Sequence, residues 1–368
     1  MMTKDMLQSN TISFLRFPLI VGVVFIHSQL DDMSIRGVHL TETVGDFPFY
    51  EYCSYLISGI LSRVAVPFFF FISGFLFFFR TNSFTSEVYC QKLKKRVKSI
   101  VIPYIFWNLL AITLLWLSQT FFTDLMSGQG KLVADYTFAD WLWSFWNTGM
   151  VNSAVNSGFP ICYQFWFIRD LIVTIIFAPI IYICVSKLKQ YAVLILGVFW
   201  LWGLWFNVVG FSITAFFFFS AGAFFSITGR NFVDLMKPFL LISIISYSII
   251  VILELCFKGW SWCIYLHNAG ILIGVVGITA IVGHFIEKGC WKVNLFLSES
   301  SFFIYAFHAL PLVFIIKFFF SIVQPNSDFL ILMLYFLCPI IVIFVGLFIY
   351  FLLKKYCSKM AVFIMGGR

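Results

Sequence analysis

SFLRFPLIVGVVFIHSQL, residues 13–30, is apolar over the length of a bilayer crossing but carries an arginine near its start and a histidine near its end. Arg16 and His27 are eleven positions apart. At about 100° per residue this spacing closes three turns with roughly 20° to spare, so on a continuous helix both side chains lie on one face. At about 1.5 Å per residue they are roughly 16 Å apart along it. One origin of such a pattern is an arginine snorkelling to one headgroup layer, with a histidine at the other. The alternative is a polar stripe that looks into a cavity, and the rest of the chain bears on which applies.

The apolar character is not local. Of 368 residues, 61% are hydrophobic and only 11% charged, with a mean hydropathy of +0.98. Too little charge is present to cover a water-facing surface. The expected fold is therefore all-α: a polytopic integral membrane bundle that occupies residues 1–368 as a single domain, with no separate soluble domain. Ten apolar runs are candidate crossings, at 12–30, 54–79, 99–122, 161–184, 191–209, 211–228, 238–257, 264–287, 300–322 and 328–353. Their alternation sorts the cations. Seventeen lysines and arginines, including the run QKLKKRVKS at 91–99, fall on the side of the N-terminus, against Arg36, Lys131 and Lys258 on the other. By the positive-inside rule both termini are cytoplasmic. The net charge of +8 thus reflects membrane orientation, and no nucleic-acid partner is indicated. Nine cysteines contain no C-x-x-C pair and no Cys/His cluster at zinc spacing, so no metal site is expected. A disulfide among Cys53, Cys162 and Cys263, near outer span ends, stays open.

Two outer loops are long enough to act as lids or entrances. Residues 31–53 carry Asp31, Asp32, Glu42, Asp46 and Glu51; residues 123–160 carry Asp124, Asp135, Asp140 and the aromatic stretch WLWSFWNTG. Such rings anchor at the membrane interface and also stack on sugar faces.

With the loops set aside, Arg16, His27, Arg63, Arg169, Asp170, Glu254, His267, His308 and Lys317 lie inside spans or at their ends. An ionised side chain at a span centre costs at least ~2.5 kcal/mol on insertion scales, so several together imply a water-filled or substrate-filled cavity. On the expected topology Arg16 is near the cytoplasm, while His27, Arg63, Arg169 and Asp170 are in the outer half and His308 is slightly inside the midplane. Arg169 and Asp170, as neighbours, point about 100° apart on a helix and are each expected to find a partner elsewhere. His308 has an architectural alternative, a core histidine bonded to a backbone carbonyl. Glu254 and His267 are expected at the interface.

These segments resemble the membrane acyltransferase-3 family, ten-helix bacterial acyltransferases that modify surface glycans and other envelope acceptors. The Arg16-to-His27 spacing matches the family's R-x10-H signature. SRVAVPFFFFISGFLFFF at 62–79, WFIRDLIVTIIFAPIIY at 166–182, FFFFSAGAFFSI at 216–227 and SSFFIYAFH at 300–308 are similar to family segments and come in the family's order. One departure lies in KKRVKSIVIPYIFW, residues 94–107, where the family often has R-x-x-R: Arg96 is present, but Ser99 stands where the second arginine is expected. Lys98 or Lys95 offers charge there without arginine's bidentate fork.

The resemblance implies transfer of an acyl group, by expectation acetyl, from cytoplasmic acyl-CoA to a hydroxyl of an extracytoplasmic or lipid-linked glycan, in the bacterial cytoplasmic membrane. Arg16, Arg96 and Lys98 would take the donor's phosphates. His27 would act as general base, with Asp170 orienting its ring. Arg63, Arg169 and His308 would contact substrate or the tetrahedral oxyanion. Covalent acyl-histidine chemistry, N-acylation and transfer of a longer chain are alternatives within the enzyme class. Ser73 in ISGFL serves helix packing as readily as chemistry. A transporter or flippase would also need intramembrane charge, but no inverted repeat or pair of broken helices is visible in the sequence.

Overall fold

In hydrocarbon a backbone can satisfy its polar groups only within itself, and the apolar runs form helices. The computed structural model describes residues 2–30, 34–35, 38–39, 47–81, 83–121, 130–152 and 158–367. Asp31, Asp32, Arg36, Glu42, Asp46 and Asp124 lie outside the described residues. The helices are α1 Lys4–Ile26, α2 Pro48–Phe78, α3 Ser86–Phe121, α4 Phe138–Ser144, α5 Trp166–Ile176, α6 Ala178–Leu188 and α7 Gln190–Trp202. They continue as α8 Ile213–Ile227, α9 Phe232–Cys256, α10 Cys263–Glu287, α11 Leu295–Phe307, α12 Ala309–Val323, α13 Asp328–Tyr356 and α14 Ser358–Met365. Two-residue strands, β1 Ser34–Ile35 and β2 Val38–His39, pair antiparallel after α1.

A helix lies under each of the ten apolar runs, but they are not alike. Among the described residues six helices are long and apolar enough to cross a membrane, α1, α2, α3, α9, α10 and α13, or up to eight crossings if each of two bent pairs is one span. The shorter α7 and α8 are also apolar. The bent pairs differ from the continuous runs expected at 161–184 and 300–322. α5 and α6 meet at 64°, α11 and α12 at 68°.

Proline explains both breaks. Pro179 has no N–H for the carbonyl of Ile175, and Pro311 has none for that of Phe307; in each case the ring also crowds that carbonyl. At the first break the Tyr89 hydroxyl donates to the Ile176 carbonyl at 3.0 Å and lies 3.5 Å from the freed Ile175 carbonyl. A third proline, Pro103, follows the π-helical turn Val97–Val101 within α3.

Two compact units form, each from segments distant in sequence. The first comprises Met1–Ile26, Tyr55–Leu93 and Val173–Ser301; the second comprises His27–Ser54, Lys94–Ile172 and Phe302–Arg368.

In the first unit α2 and α8 approach backbone to backbone. A Cβ at Gly74 would overlap the main chain of Phe219, and one at Gly222 the main chain of Phe71. Small residues permit this closeness in membrane bundles, which gives the SGFL and SAGA segments a packing role. Phe71 and Phe75 each meet the Phe232 ring edge-on at 5.1 Å. Gly222→Ala is therefore expected to lower stability by about 1–3 kcal/mol, because the obstacle is a carbonyl and not a movable side chain. Gly22→Ala, whose new methyl would sit 3.5 Å from Ser62, is expected to be tolerated. Thermal unfolding of both variants in detergent checks the contrast, and equal midpoints would refute it.

In the second unit α14 lies against α3. Trp107 Nε1 donates to the Ile364 carbonyl at 3.1 Å, and Gly366, at φ +70°, packs on the backbone of Ser99. The position where a second arginine is expected is thus covered by main chain.

Candidate active site

His27 does not sit on the helix whose spacing drew attention to it. α1 ends at Ile26, and His27 opens the following turn, in the second unit. The shared-face geometry computed for a continuous helix therefore stops one residue short. That turn is anchored. The Leu30 N–H donates to the Tyr50 hydroxyl at 2.9 Å, and the Tyr50 N–H donates to Asp328 Oδ1 at 2.9 Å.

Against His27 the second unit places His308 and Tyr163. The His27 and His308 rings are 5.4 Å apart between centroids, and the Tyr163 ring meets His27 edge-on at 5.0 Å. His308 stands at the α11–α12 break and is fully buried. Its Nδ1 lies 2.8 Å from the Tyr305 carbonyl and 3.2 Å from that of Ile304. A carbonyl only accepts, so Nδ1 carries the proton and Nε2 of the neutral ring is an acceptor. That Nε2 has no hydrogen-bond partner among the described residues. The architectural alternative for His308, a core histidine bonded to backbone carbonyls, is what the Nδ1 edge shows.

A second acceptor of this kind belongs to Gln164, which is buried in the 3-10 turn Tyr163–Phe165 ahead of α5. Its Nε2 donates to the Ala306 carbonyl at 3.0 Å, and the Tyr305 hydroxyl donates to its backbone carbonyl at 2.6 Å. Gln164 Oε1 has no partner among the described residues. Asn108 holds Cys162, two residues earlier: its Oδ1 accepts from the Cys162 N–H at 3.1 Å, and its Nδ2 donates to the Tyr104 carbonyl at 2.8 Å. Gln164 and Asn108 escape a search confined to ionisable side chains, and Tyr163 one confined to groups charged near neutral pH. The available signal was neutral amides in otherwise apolar runs.

Arg169 and Asp170 pair with each other, contrary to the expectation from neighbouring helical positions. Arg169 Nε and Nη2 both lie 2.9 Å from Asp170 Oδ1, and the two side chains are 5% exposed. The arginine is long enough to fold back along the helix. Its Nη1 donates to the carbonyls of Trp146 at 2.6 Å and Gly158 at 2.8 Å. The residue thereby clamps the aromatic loop to α5. Within that loop Asn147 Oδ1 accepts from the N–H groups of Gly149 at 3.1 Å and Gly158 at 2.7 Å. Thr137 and Asp140 cap α4 reciprocally, and Lys131 reaches Asp140 at 2.6 Å. Hydrogen bonds from Lys131 and Thr137 hold the Asp140 carboxyl down to about 2.

The remaining expected residues are distributed between the units. Arg16 is half-buried on α1, and Arg63 is exposed after the π-helical turn Tyr55–Ile60, its Nε donating to the Ser58 carbonyl at 3.1 Å; both belong to the first unit. Arg96 is half-buried and Lys98 exposed at the π turn of α3, in the second unit. Glu254, near the end of α9, is only 2% exposed, accepting from the Tyr55 hydroxyl at 3.2 Å and lying 2.8 Å from His267 Nδ1. All nine cysteines are free, including Cys53, Cys162 and Cys263.

The sequence model of a family described as an acyltransferase domain matches residues 10–354. Succinoglycan biosynthesis protein ExoH of Rhizobium meliloti (strain 1021) is 21% identical over 296 residues, covering 80% of this chain and 72% of that protein. No solved structure matches.

Proposed function

The chain belongs to the acyltransferase-3 family, and from that premise we propose that it transfers an acyl group, by preference acetyl, from acyl-CoA to a hydroxyl of a glycan or lipid-linked glycan. The observation that carries this reading is the histidine pair. His308 Nε2 and Gln164 Oε1 are buried acceptors in want of donors, and hydroxyl groups are donors. The likeness to ExoH, a succinoglycan biosynthesis protein, favours a polysaccharide as the source of those hydroxyls.

In the proposed reaction His27 takes the proton of the acceptor hydroxyl as its oxygen attacks the thioester carbonyl. The tetrahedral intermediate then expels the sulfur, the C–S bond breaks, and the His27 proton passes to the departing thiolate, leaving an O-acyl ester and coenzyme A. His308, with its proton fixed on Nδ1, is better suited to accept from the incoming hydroxyl than to donate to an oxyanion. Arg169 has its donors committed to Asp170 and two carbonyls, which favours a supporting role for both residues. Arg63 is retained as the cation for the oxyanion by charge type alone, as are Arg16, Arg96 and Lys98 for the donor's phosphates. The positive-inside count supports a donor supplied from the cytoplasm.

A transporter remains the second reading, because the two broken spans are a feature such proteins use. Purified protein in nanodiscs, supplied with radiolabelled acetyl-CoA and an extracted envelope glycan, separates the two. Label in the glycan is the expected result. Absence of both acyl transfer and acyl-CoA binding would overturn the enzymatic reading.

A further inference from the structure

In the first unit α8 ends and α9 begins within a few residues, and both ends are fixed by local chemistry. Gly229 takes φ +66°, and the Arg230 N–H returns to the Phe225 carbonyl at 2.9 Å, closing α8. Asn231 Oδ1 then accepts from the N–H groups of Val233 at 3.0 Å and Asp234 at 3.1 Å, opening α9. Arg230 is held between the two caps. A second arginine, Arg80, follows α2 in a left-handed conformation, φ +54°, that is unusual for a residue with a side chain.

Both arginines line one cavity of about 420 Å³, within the range of small-molecule sites, with Asp5, Thr81, Ser226 and Asn231 in its wall. Among the described residues neither arginine is ion-paired. Arg80 rests over the Phe79 ring at 5.2 Å and Arg230 over Phe224 at 5.6 Å, which leaves the guanidinium N–H groups for other acceptors. Thr81 Oγ1 and Ser226 Oγ, in the same wall, are shielded from solvent and have no partner among the described residues. Guanidinium forks and hydroxyls in one concavity match phosphate oxygens. Asp5 adds an acceptor suited to a sugar hydroxyl or a base amine.

We infer that this cavity binds a phosphate-bearing ligand of nucleotide size, and that the ligand is the phosphorylated nucleotide end of the acyl donor, so that Arg80 and Arg230 take the phosphates that charge type alone gave to Arg16, Arg96 and Lys98. The second clause rests on the proposed acyl-CoA dependence; the first does not. An anionic lipid headgroup shares the chemistry, so the experiment separates the two sources.

Full-length protein in phosphatidylcholine nanodiscs is titrated with coenzyme A and, separately, with inorganic phosphate. Arg80→Gln and Arg230→Gln are each expected to weaken coenzyme A binding about tenfold, as loss of a charge-assisted hydrogen bond does. Lys187→Gln, an exposed cation elsewhere, is expected to leave it unchanged. Ser226→Ala, which alters no charge, is expected to weaken binding about threefold and serves if an arginine variant misfolds. Equal coenzyme A binding by wild type and all cavity variants would overturn the inference and leave the donor reading standing. Phosphate binding that depends on both arginines, without coenzyme A binding, would keep the anion site and remove the donor. Binding of neither probe would remove both. Loss of coenzyme A binding when phosphatidylglycerol replaces phosphatidylcholine would assign the cavity to a lipid headgroup.

Discussion

His27→Ala is expected to lower acyl transfer by about 100-fold or more while leaving membrane insertion and folded yield intact, since general acid–base catalysis contributes about 10²–10⁴ to rate. The variant should fold because the turn it occupies is held by other groups: Leu30 on Tyr50, and Tyr50 on Asp328. What it removes is a ring 5.4 Å from His308, between a buried acceptor and Tyr163. Single-turnover transfer from labelled acyl-CoA measures the effect. Wild-type rates would eliminate His27 as base. A covalent acyl-histidine is distinguished by trapping labelled protein before acceptor is added; the general-base route predicts no protein-bound label.

Arg169→Ala is expected to destabilise the protein by about 3–5 kcal/mol, the cost of stranding a buried charge. Three groups lose a partner together: the carboxylate of Asp170, to which the arginine presents two nitrogens, and the carbonyls of Trp146 and Gly158. Arg169→Lys should recover little, since one ammonium cannot reproduce a fork that serves a carboxylate and two carbonyls. Thermal or denaturant unfolding in detergent checks this, with Lys187→Ala as an exposed reference. A midpoint equal to that of the reference would refute the clamp. Loss of activity without loss of stability would return Arg169 to direct chemistry.

The helices were legible because a bilayer demands long apolar runs, and each run of sequence has one. Their interruptions were not. Pro179 and Pro311 sit in apolar surroundings where membrane helices tolerate proline; the Tyr89 hydroxyl reaches a carbonyl at the first break, and the His308 ring reaches those of Tyr305 and Ile304 in the turn before the second. Charge and spacing point to His27, but it lies one residue beyond the point at which α1 stops. Arg169 and Asp170 were found but mispaired, because the angular rule for neighbours describes Cβ directions and ignores the reach of a long side chain. Gln164 and Asn108 escape because an uncharged amide raises no alarm in a hydropathy count, although in a dry interior an unmet hydrogen bond still costs about 2–7 kcal/mol.

The contact between α2 and α8 has a mechanical meaning. Where Gly74 and Gly222 bring main chain against main chain, no side chain intervenes, so no rotamer change can lengthen or shorten the joint. Two rods in such contact bend or travel together, like laminated strips. Whatever compliance the first unit has must be found away from that seam, in segments whose backbone is already irregular.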